Sequence, residues 1–185
     1  MNTAAGRAVL FDIDGTLVDT NYLHVLAWRR VFLEHDEPRI TAAQIHRLVG
    51  MGSDELLDTL FGRPRPELKP ERARHFDALK DEIRAFPGAA DLLRAVHDRG
   101  ARVVLATSAE KSDLEEAGTA PEATVVVGDT VWDVQAASRA GLRCVGVTSG
   151  GISRAELLDA GAVAVYDDVA ALLDQLDDSP LLGAA

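Results

Sequence analysis

The chain has 185 residues, of which 47% are hydrophobic and 26% are charged, as is typical of a globular protein with one core, or with one core and a small lobe. A formal net charge of −11 argues against a nucleic-acid-binding protein, because affinity for the phosphate backbone depends on clustered lysine and arginine. No apolar stretch approaches the roughly 20 residues that span a bilayer, and Cys144 is the only cysteine. We therefore expect a cytoplasmic protein with no membrane segment and no disulfide.

Four apolar runs predict short, buried strands. Each run is nearly continuous and ends in a polar residue, a pattern typical of parallel sheets that are covered on both faces. In chain order they are AVLFD at 8–12, ARVVLATS at 101–108, ATVVVGD at 123–129 and RCVGVTS at 143–149. Helical patterns lie between most of them, such as PGAADLLRAVHDRG, which begins with Pro87 and ends with Gly100. The alternation predicts an α/β fold with a parallel, doubly wound sheet.

The stretch between the first two strands has a different pattern. From Asn21 to about Phe86 it shows only amphipathic helical patterns, separated by the helix breakers Pro38 and GRPRP at 62–66. We predict that residues 20–86 form a helical lobe inserted into an α/β core made of residues 1–19 and 87–185.

Carboxylates follow two of the predicted strands. The segment FDIDGTLVDT places Asp12 at the end of the first strand and Asp14 two residues later, Thr107 ends the second, and Asp129 ends the third. The carboxyl ends of parallel strands meet at one edge of a sheet, and ligands bind there. Clustered carboxylates repel one another, so this pattern indicates a bound cation such as Mg²⁺, a pair of carboxylates that divide acid and base roles, or both.

Three segments together resemble the haloacid dehalogenase (HAD) superfamily of phosphotransferases. DIDGT after a strand, VVLATS as a strand that ends in Thr, and VVVGDTVWD are similar to its first, second and fourth motifs. The helical insertion after the first motif is similar to the cap of the phosphoglycolate phosphatase and β-phosphoglucomutase branch. The resemblance implies a HAD-like Rossmannoid core with an all-helical cap.

The resemblance also implies roles for the first and second motifs. Asp12 would be the nucleophile that forms an aspartyl phosphate. Asp14 would protonate the leaving group and then deprotonate the attacking water. Thr107 would donate a hydrogen bond to the phosphoryl oxygens. The backbone amides around Gly15 and Ser108 would help to bind these oxygens, and Thr16 would also contact the substrate.

The fourth motif implies a magnesium site. Mg²⁺ would be held by Asp12, the backbone next to Asp14, and Asp129, and Asp133 would orient the groups around it. Asp133 also lies at the start of a predicted helix, where a carboxylate stabilises the helix dipole without any ligand.

One family feature is absent from the sequence. The third motif contributes a lysine, in a KPxP run, that neutralises the phosphoryl group and the nucleophile. Here only SAEKSDLEEAGTAPEA separates Thr107 from Thr124, which leaves no room for the strand and helix that would carry this lysine. A segment is therefore missing between Glu115 and Ala117, and the sheet is expected to be one edge strand short. Either Lys111 or a cap arginine takes over the role, or Lys111 is an ordinary exposed lysine and the role is lost.

The cap is expected to select the substrate in this branch. His24 and Trp28 lie one turn apart on the first cap helix, close to Tyr22. His24 either contacts the leaving group of the substrate or belongs to an aromatic stripe that packs the cap.

The function that the resemblance favours is a Mg²⁺-dependent phosphatase acting on a small phosphorylated metabolite. A sugar-phosphate phosphomutase would use the same carboxylates. A scaffold that is catalytically impaired, because it lacks the motif-three lysine, is the alternative of a different class.

Overall fold

The computed structural model describes residues 6–106 and 119–183. The chain divides into two compact units. One unit contains the residues up to Asp19 and those from Ala85 onwards, and the other is Thr20–Arg84.

The first unit contains a parallel sheet. Its strands are β1 (Ala8–Asp12), β2 (Arg102–Ala106), β3 (Thr124–Gly128), β4 (Arg143–Val147) and β5 (Ala164–Tyr166). They are ordered β2-β1-β3-β4-β5, and all described pairs are parallel. The predicted α/β fold is thus confirmed. The sequence missed β5, because three residues are too few to show a strand pattern.

Helices cover both faces of the sheet. They are α5 (Ala89–Asp98), α6 (Val131–Arg139), α7 (Arg154–Ala160) and α8 (Val169–Asp174). Side chains of β1 alternate between two cores, since Val9 and Phe11 pack with α5 and α8, whereas Ala8 and Leu10 pack with α6 and α7. This burial on both sides explains why the strands are apolar throughout.

The second unit is helical. It contains α1 (Asn21–Glu34), α2 (Ala42–His46), α3 (Ser53–Phe61) and α4 (Leu68–Asp77). Its core includes Trp28 and Phe32, whose rings stack with centroids 5.5 Å apart. Two histidine–glutamate contacts join the C-terminal end of α1, including its C-cap residue His35, to α4. His35 Nε2 lies 3.0 Å from a Glu71 carboxylate oxygen, and His75 Nε2 lies 2.9 Å from one of Glu34.

The strand register aligns the carboxyl ends of the central strands. Phe11 of β1 lies beside Val127 of β3, and Asp12 lies beside Ala106 of β2. Residues that follow these strands are therefore neighbours at one edge of the sheet. β2 is at the side of the described sheet, and the Leu105 residue on it is 52% exposed. None of the helices within the described ranges combines the length and the apolarity that crossing a membrane requires.

Candidate active site

Three carboxylates converge at the carboxyl end of the sheet. Asp12 ends β1, Asp129 follows β3, and Asp133 lies in the first turn of α6. One oxygen atom from each lies within 4.8 Å of the other two. Asp129 is fully buried, Asp133 is 9% exposed, and Asp12 is partly buried. We call these three residues the carboxylate cluster.

A capping box holds Asp133 in the carboxylate cluster. The Asp133 carboxylate accepts hydrogen bonds from the Thr130 N–H at 2.9 Å and from the Thr130 hydroxyl at 2.6 Å. In return, the Asp133 N–H donates to Thr130 Oγ1 at 3.2 Å. These bonds pair two of the backbone N–H groups at the helix start, those of Thr130 and Asp133. Asp133 therefore both caps α6 and contributes charge to the cluster, so the two roles considered from the sequence coexist.

Gly128 allows the helix to start this close to β3. A Cβ atom at position 128 would lie 2.4 Å from Asp133 Cβ and 2.7 Å from Asp133 Oδ2, closer than any side chain permits. The Gly-Asp pair after β3 is thus a packing requirement as well as a chemical signature.

Thr16 connects the turn after β1 to the carboxylate cluster. Its hydroxyl donates to Asp129 Oδ1 at 3.0 Å, and Thr16 itself is fully buried. The sequence suggested Thr16 as a phosphate-binding residue, and the structure adds that its side chain orients Asp129.

A serine from the loop after β4 also contacts this turn. Gly15 has a φ of 84°, and its N–H donates to the Val18 carbonyl at 2.8 Å. The Ser149 hydroxyl donates to the Gly15 carbonyl at 2.7 Å. Sequence reasoning did not identify this contact. The sequence does show that Ser149 lies at the carboxyl end of a predicted strand, where ligands bind. It does not show which group accepts a hydrogen bond from the Ser149 hydroxyl.

The carboxylate cluster is electrostatically strained without a cation. Burial raises the pKa of Asp12 well above its ordinary value, and the charges of Asp133, Asp129 and Asp14 raise it further. Burial also raises the pKa of Asp133, although its hydrogen bonds with Thr130 oppose this effect. Converging carboxylates of raised pKa indicate a place where positive charge is expected.

The donor set fits Mg²⁺. Hard divalent cations prefer oxygen ligands, and Mg²⁺ is commonly bound through one or two carboxylates together with water and substrate phosphate. Asp12, Asp129 and Asp133 supply such oxygens within one small volume. Their mutual repulsion would be offset by a divalent charge.

Cys144 lies within the electrostatic range of the same carboxylates. It is 2% exposed, and burial is the main cause that raises the pKa of its thiol, followed by the charges of Asp133, Asp12 and Asp129. Its thiol is therefore held in the neutral form. Cys144 therefore behaves as a buried apolar residue rather than as a reactive thiol.

The other predicted residues of the α/β unit lie either in the turn after β1 or outside the described residues. Asp14, Gly15 and Thr16 lie in the turn directly after β1, and Asp14 is partly buried. Thr107, Ser108 and Lys111 lie outside the described residues, so their predicted roles stay predictions.

His24 lies on α1 of the helical unit, in contact with α4. Its ring stacks on Phe76 with a centroid distance of 4.3 Å, and Arg72 Nη2 contacts its Nδ1. The Arg72 guanidinium also lies 5.8 Å from the Trp28 ring centroid. Within its own unit, His24 is thus part of the aromatic packing between α1 and α4.

Comparison with known proteins identifies the family. Residues 7–118 match the profile of the haloacid dehalogenase-like hydrolases, and residues 94–172 match a second profile described as HAD-hydrolase-like. A phosphoglycolate phosphatase of Pseudomonas putida is 28% identical over 90% of this chain and 78% of its own length. Another from Rhodospirillum rubrum is 29% identical over 92% of this chain and 90% of its own.

A solved structure has a similar fold. A hydrolase from Pseudomonas syringae superimposes with a TM-score of 0.87 at 27% identity, over 93% of this chain and 98% of that one. The alignment with the P. putida phosphatase runs over 214 positions, which is more than the 185 residues of the whole chain. The P. putida phosphatase therefore contains residues that have no counterpart in this chain. The matches of sequence profile and of structure lead to one conclusion: the chain belongs to the haloacid dehalogenase-like hydrolase family.

Proposed function

We propose that this hydrolase is a Mg²⁺-dependent phosphatase that cleaves a small organic phosphomonoester through an aspartyl phosphate on Asp12. The observation that carries the proposal is the convergence of Asp12 with Asp129 and Asp133 at the carboxyl end of the sheet. The phosphoglycolate phosphatases among its relatives support a small phosphorylated substrate. The single cysteine, Cys144, supports a reducing cytoplasm as the compartment.

Asp12 and Asp14 divide the chemistry in this proposal. A carboxylate oxygen of Asp12 attacks phosphorus, the bond from phosphorus to the ester oxygen breaks, and Asp14 gives its proton to the departing alkoxide. Asp14 then takes a proton from a water that attacks the aspartyl phosphate, which releases inorganic phosphate and restores Asp12. Asp12 ends β1 and Asp14 lies two residues later in the turn after it, so both can reach one phosphoryl group.

Asp12, Asp129 and the backbone next to Asp14 would hold the cation, and Asp133, which lies in the same cluster, would orient the groups around it. Bound there, Mg²⁺ would supply positive charge for the phosphoryl oxygens and for the ionised nucleophile. Thr16 and Thr130 keep Asp129 and Asp133 in place through their hydrogen bonds, so the cluster is organised before a ligand arrives.

The test is phosphate release from a panel of small phosphomonoesters, including para-nitrophenyl phosphate, with Mg²⁺ and with EDTA. Asp12→Asn serves as the blank, since the amide keeps the shape of the side chain but is a poor nucleophile. We expect Mg²⁺-dependent turnover that the variant lacks. Equal turnover by the variant would contradict the nucleophile assignment.

The same assay addresses the missing lysine. Lys111→Ala is compared with Lys80→Ala, whose exposed side chain pairs with Asp77. A loss of turnover confined to Lys111→Ala would assign Lys111 the phosphate-neutralising role. A folded native protein with no turnover above the Asp12→Asn blank would instead favour the catalytically impaired scaffold.

A further inference from the structure

The loop after β4 contacts the turn that follows the proposed nucleophile, Asp12, and carries the proposed acid–base residue, Asp14. We propose that Ser149 is a positioning residue, which fixes the direction of the peptide unit between Gly15 and Thr16 for phosphoryl transfer. This inference rests on the proposed function.

The loop is anchored independently of the turn. The Thr148 N–H donates to the Tyr166 carbonyl at 3.0 Å, the Thr148 hydroxyl donates to the Asp167 carbonyl at 3.0 Å, and the Gly151 N–H donates to the Thr148 carbonyl at 3.0 Å. Ser149 is thus presented from a segment bonded to the end of β5. Its hydroxyl reaches the Gly15 carbonyl at 2.7 Å, across 134 positions of sequence.

The contact determines where the Thr16 N–H points. A trans peptide unit is planar, so its C=O and its N–H point in opposite directions. By holding the Gly15 carbonyl, Ser149 directs the Thr16 N–H to the opposite side. Among the backbone carbonyls of residues 6–106 and 119–183, none accepts a hydrogen bond from the Thr16 N–H, although Thr16 is fully buried. A backbone N–H is normally paired, and in this proposal a phosphoryl oxygen of the bound substrate becomes the acceptor of the Thr16 N–H.

Gly15 makes this restraint necessary. Its φ of 84° lies in a region that glycine enters without steric cost, so its own conformational preference holds the next peptide unit only weakly. Rotation of that unit would replace the Thr16 donor by the Gly15 carbonyl, an acceptor that repels phosphoryl oxygens. The Thr16 side chain is held by Asp129 at 3.0 Å, but this bond leaves the carbonyl of the preceding residue unrestrained.

The first readout is steady-state kinetics with Mg²⁺ and the best substrate of the panel. Ser149→Ala should lower kcat about 10-fold, less than the 10²–10³-fold typical when an oxyanion donor is removed outright, and KM should change much less. Ser149→Thr keeps the hydroxyl and should restore kcat. Ser153→Ala is the matched control, because Ser153 caps α7 in the same loop through the Glu156 N–H and should leave kcat unchanged.

The second readout does not depend on turnover. In ¹H–¹⁵N spectra of the full chain, Ser149→Ala should shift the Thr16 amide resonance and speed its exchange with solvent, whereas Ser149→Thr should resemble the native protein. Unchanged Thr16 exchange and unchanged kcat in Ser149→Ala would overturn the inference. A native protein without phosphate release would refute the proposed function, and the amide readout would still decide the role of Ser149.

Discussion

At the scale of single residues, the carboxylate cluster is destabilised by burial and by the mutual repulsion of its charges when no cation is present. The charged form of Asp12 is penalised by burial and by neighbouring carboxylates, which raise its pKa above the ordinary value of 3.8. A raised carboxyl pKa stabilises the folded state at low pH, and this contribution is lost as the pH rises from 3.8 through the raised value. At neutral pH, we therefore expect the ionised carboxylate cluster to destabilise the folded protein unless a bound cation offsets its negative charge.

Asp12→Asn should stabilise the metal-free protein at pH 7.5, because it removes one charge from the cluster. We expect Tm in EDTA to rise by several degrees, since ~1 kcal/mol corresponds to about 2–8 °C in Tm for domains of this size range. The difference should shrink at pH 4. Carboxyl groups with lowered pKa values, such as Glu34 and Asp177, contribute stability with the opposite pH dependence. They are present in both the native protein and the Asp12→Asn variant, so they do not affect the difference in Tm. A variant that melts below the native protein at both pH values would contradict this account.

Gly128 tests the close packing of α6 on β3. Gly128→Ala should cost about 1–3 kcal/mol of unfolding free energy, the usual effect of overpacking, because the new Cβ would meet Asp133 at 2.4 Å. The substitution should also lower the affinity for Mg²⁺, because it displaces the Asp133 carboxylate. Gly6→Ala is the control, since nothing lies within 4 Å of a Cβ there. Denaturant unfolding and metal titration of both variants provide the measurement, and equal stability would refute the packing argument.

Residue-level prediction succeeded where strand ends determine position. Asp12 and Asp129 were expected to meet because each ends a parallel strand, and the structure places them in one cluster with Asp133. Ser149 escaped detection because its partner is a backbone carbonyl 134 positions away. No pattern in side-chain types encodes such a contact.

At the scale of secondary structure, capping boxes determine where the helices after β3 and β4 begin. Thr130 with Asp133 starts α6, and Ser153 with Glu156 starts α7. The two boxes are alike in geometry, but only the first contains a member of the carboxylate cluster. This similarity provides a matched pair of variants.

Thr130→Ala and Ser153→Ala should each cost about 0.5–2 kcal/mol of stability, the usual effect of losing a cap. Only Thr130→Ala should also reduce phosphate release and Mg²⁺ affinity, because it frees Asp133 to move. Thr130→Ser should recover both properties. If the two alanine variants lost equal activity, α6 would have no special part in organising the site.

The elements themselves were predictable to different degrees. Long apolar runs identified β1 to β4, and Gly and Pro identified the helix limits in PGAADLLRAVHDRG, where α5 spans Ala89–Asp98. The three-residue β5 is defined by its pairing with β4, a tertiary contact that a short segment cannot reveal by itself.

At the scale of the whole molecule, the chain has separate apolar cores. Among residues 6–106 and 119–183, two cores flank the sheet, and a third lies among the helices of Thr20–Arg84. Units with separate cores can lose structure independently.

Leu57→Ala and Leu92→Ala compare the two units directly. Both leucines are fully buried, Leu57 in the helical core and Leu92 beside the sheet, and each truncation should cost about 2–5 kcal/mol locally. Hydrogen exchange followed by mass spectrometry should show faster exchange within residues 20–84 for Leu57→Ala. For Leu92→Ala, the faster exchange should appear in β1, β2 and α5. Uniform acceleration by either variant would mean that the chain unfolds as one unit.

The most direct test of the proposed function is to trap a phosphoryl group on Asp12. Asp14→Asn should allow Asp12 to attack para-nitrophenyl phosphate, whose leaving group needs little protonation, but should slow attack by water on the aspartyl phosphate. After acid quench in the presence of Mg²⁺, we expect mass spectrometry to find one phosphoryl group on the peptide that contains Asp12. A native enzyme that turns over, with no phosphoryl group on that peptide in Asp14→Asn or with one on another residue, would contradict the account.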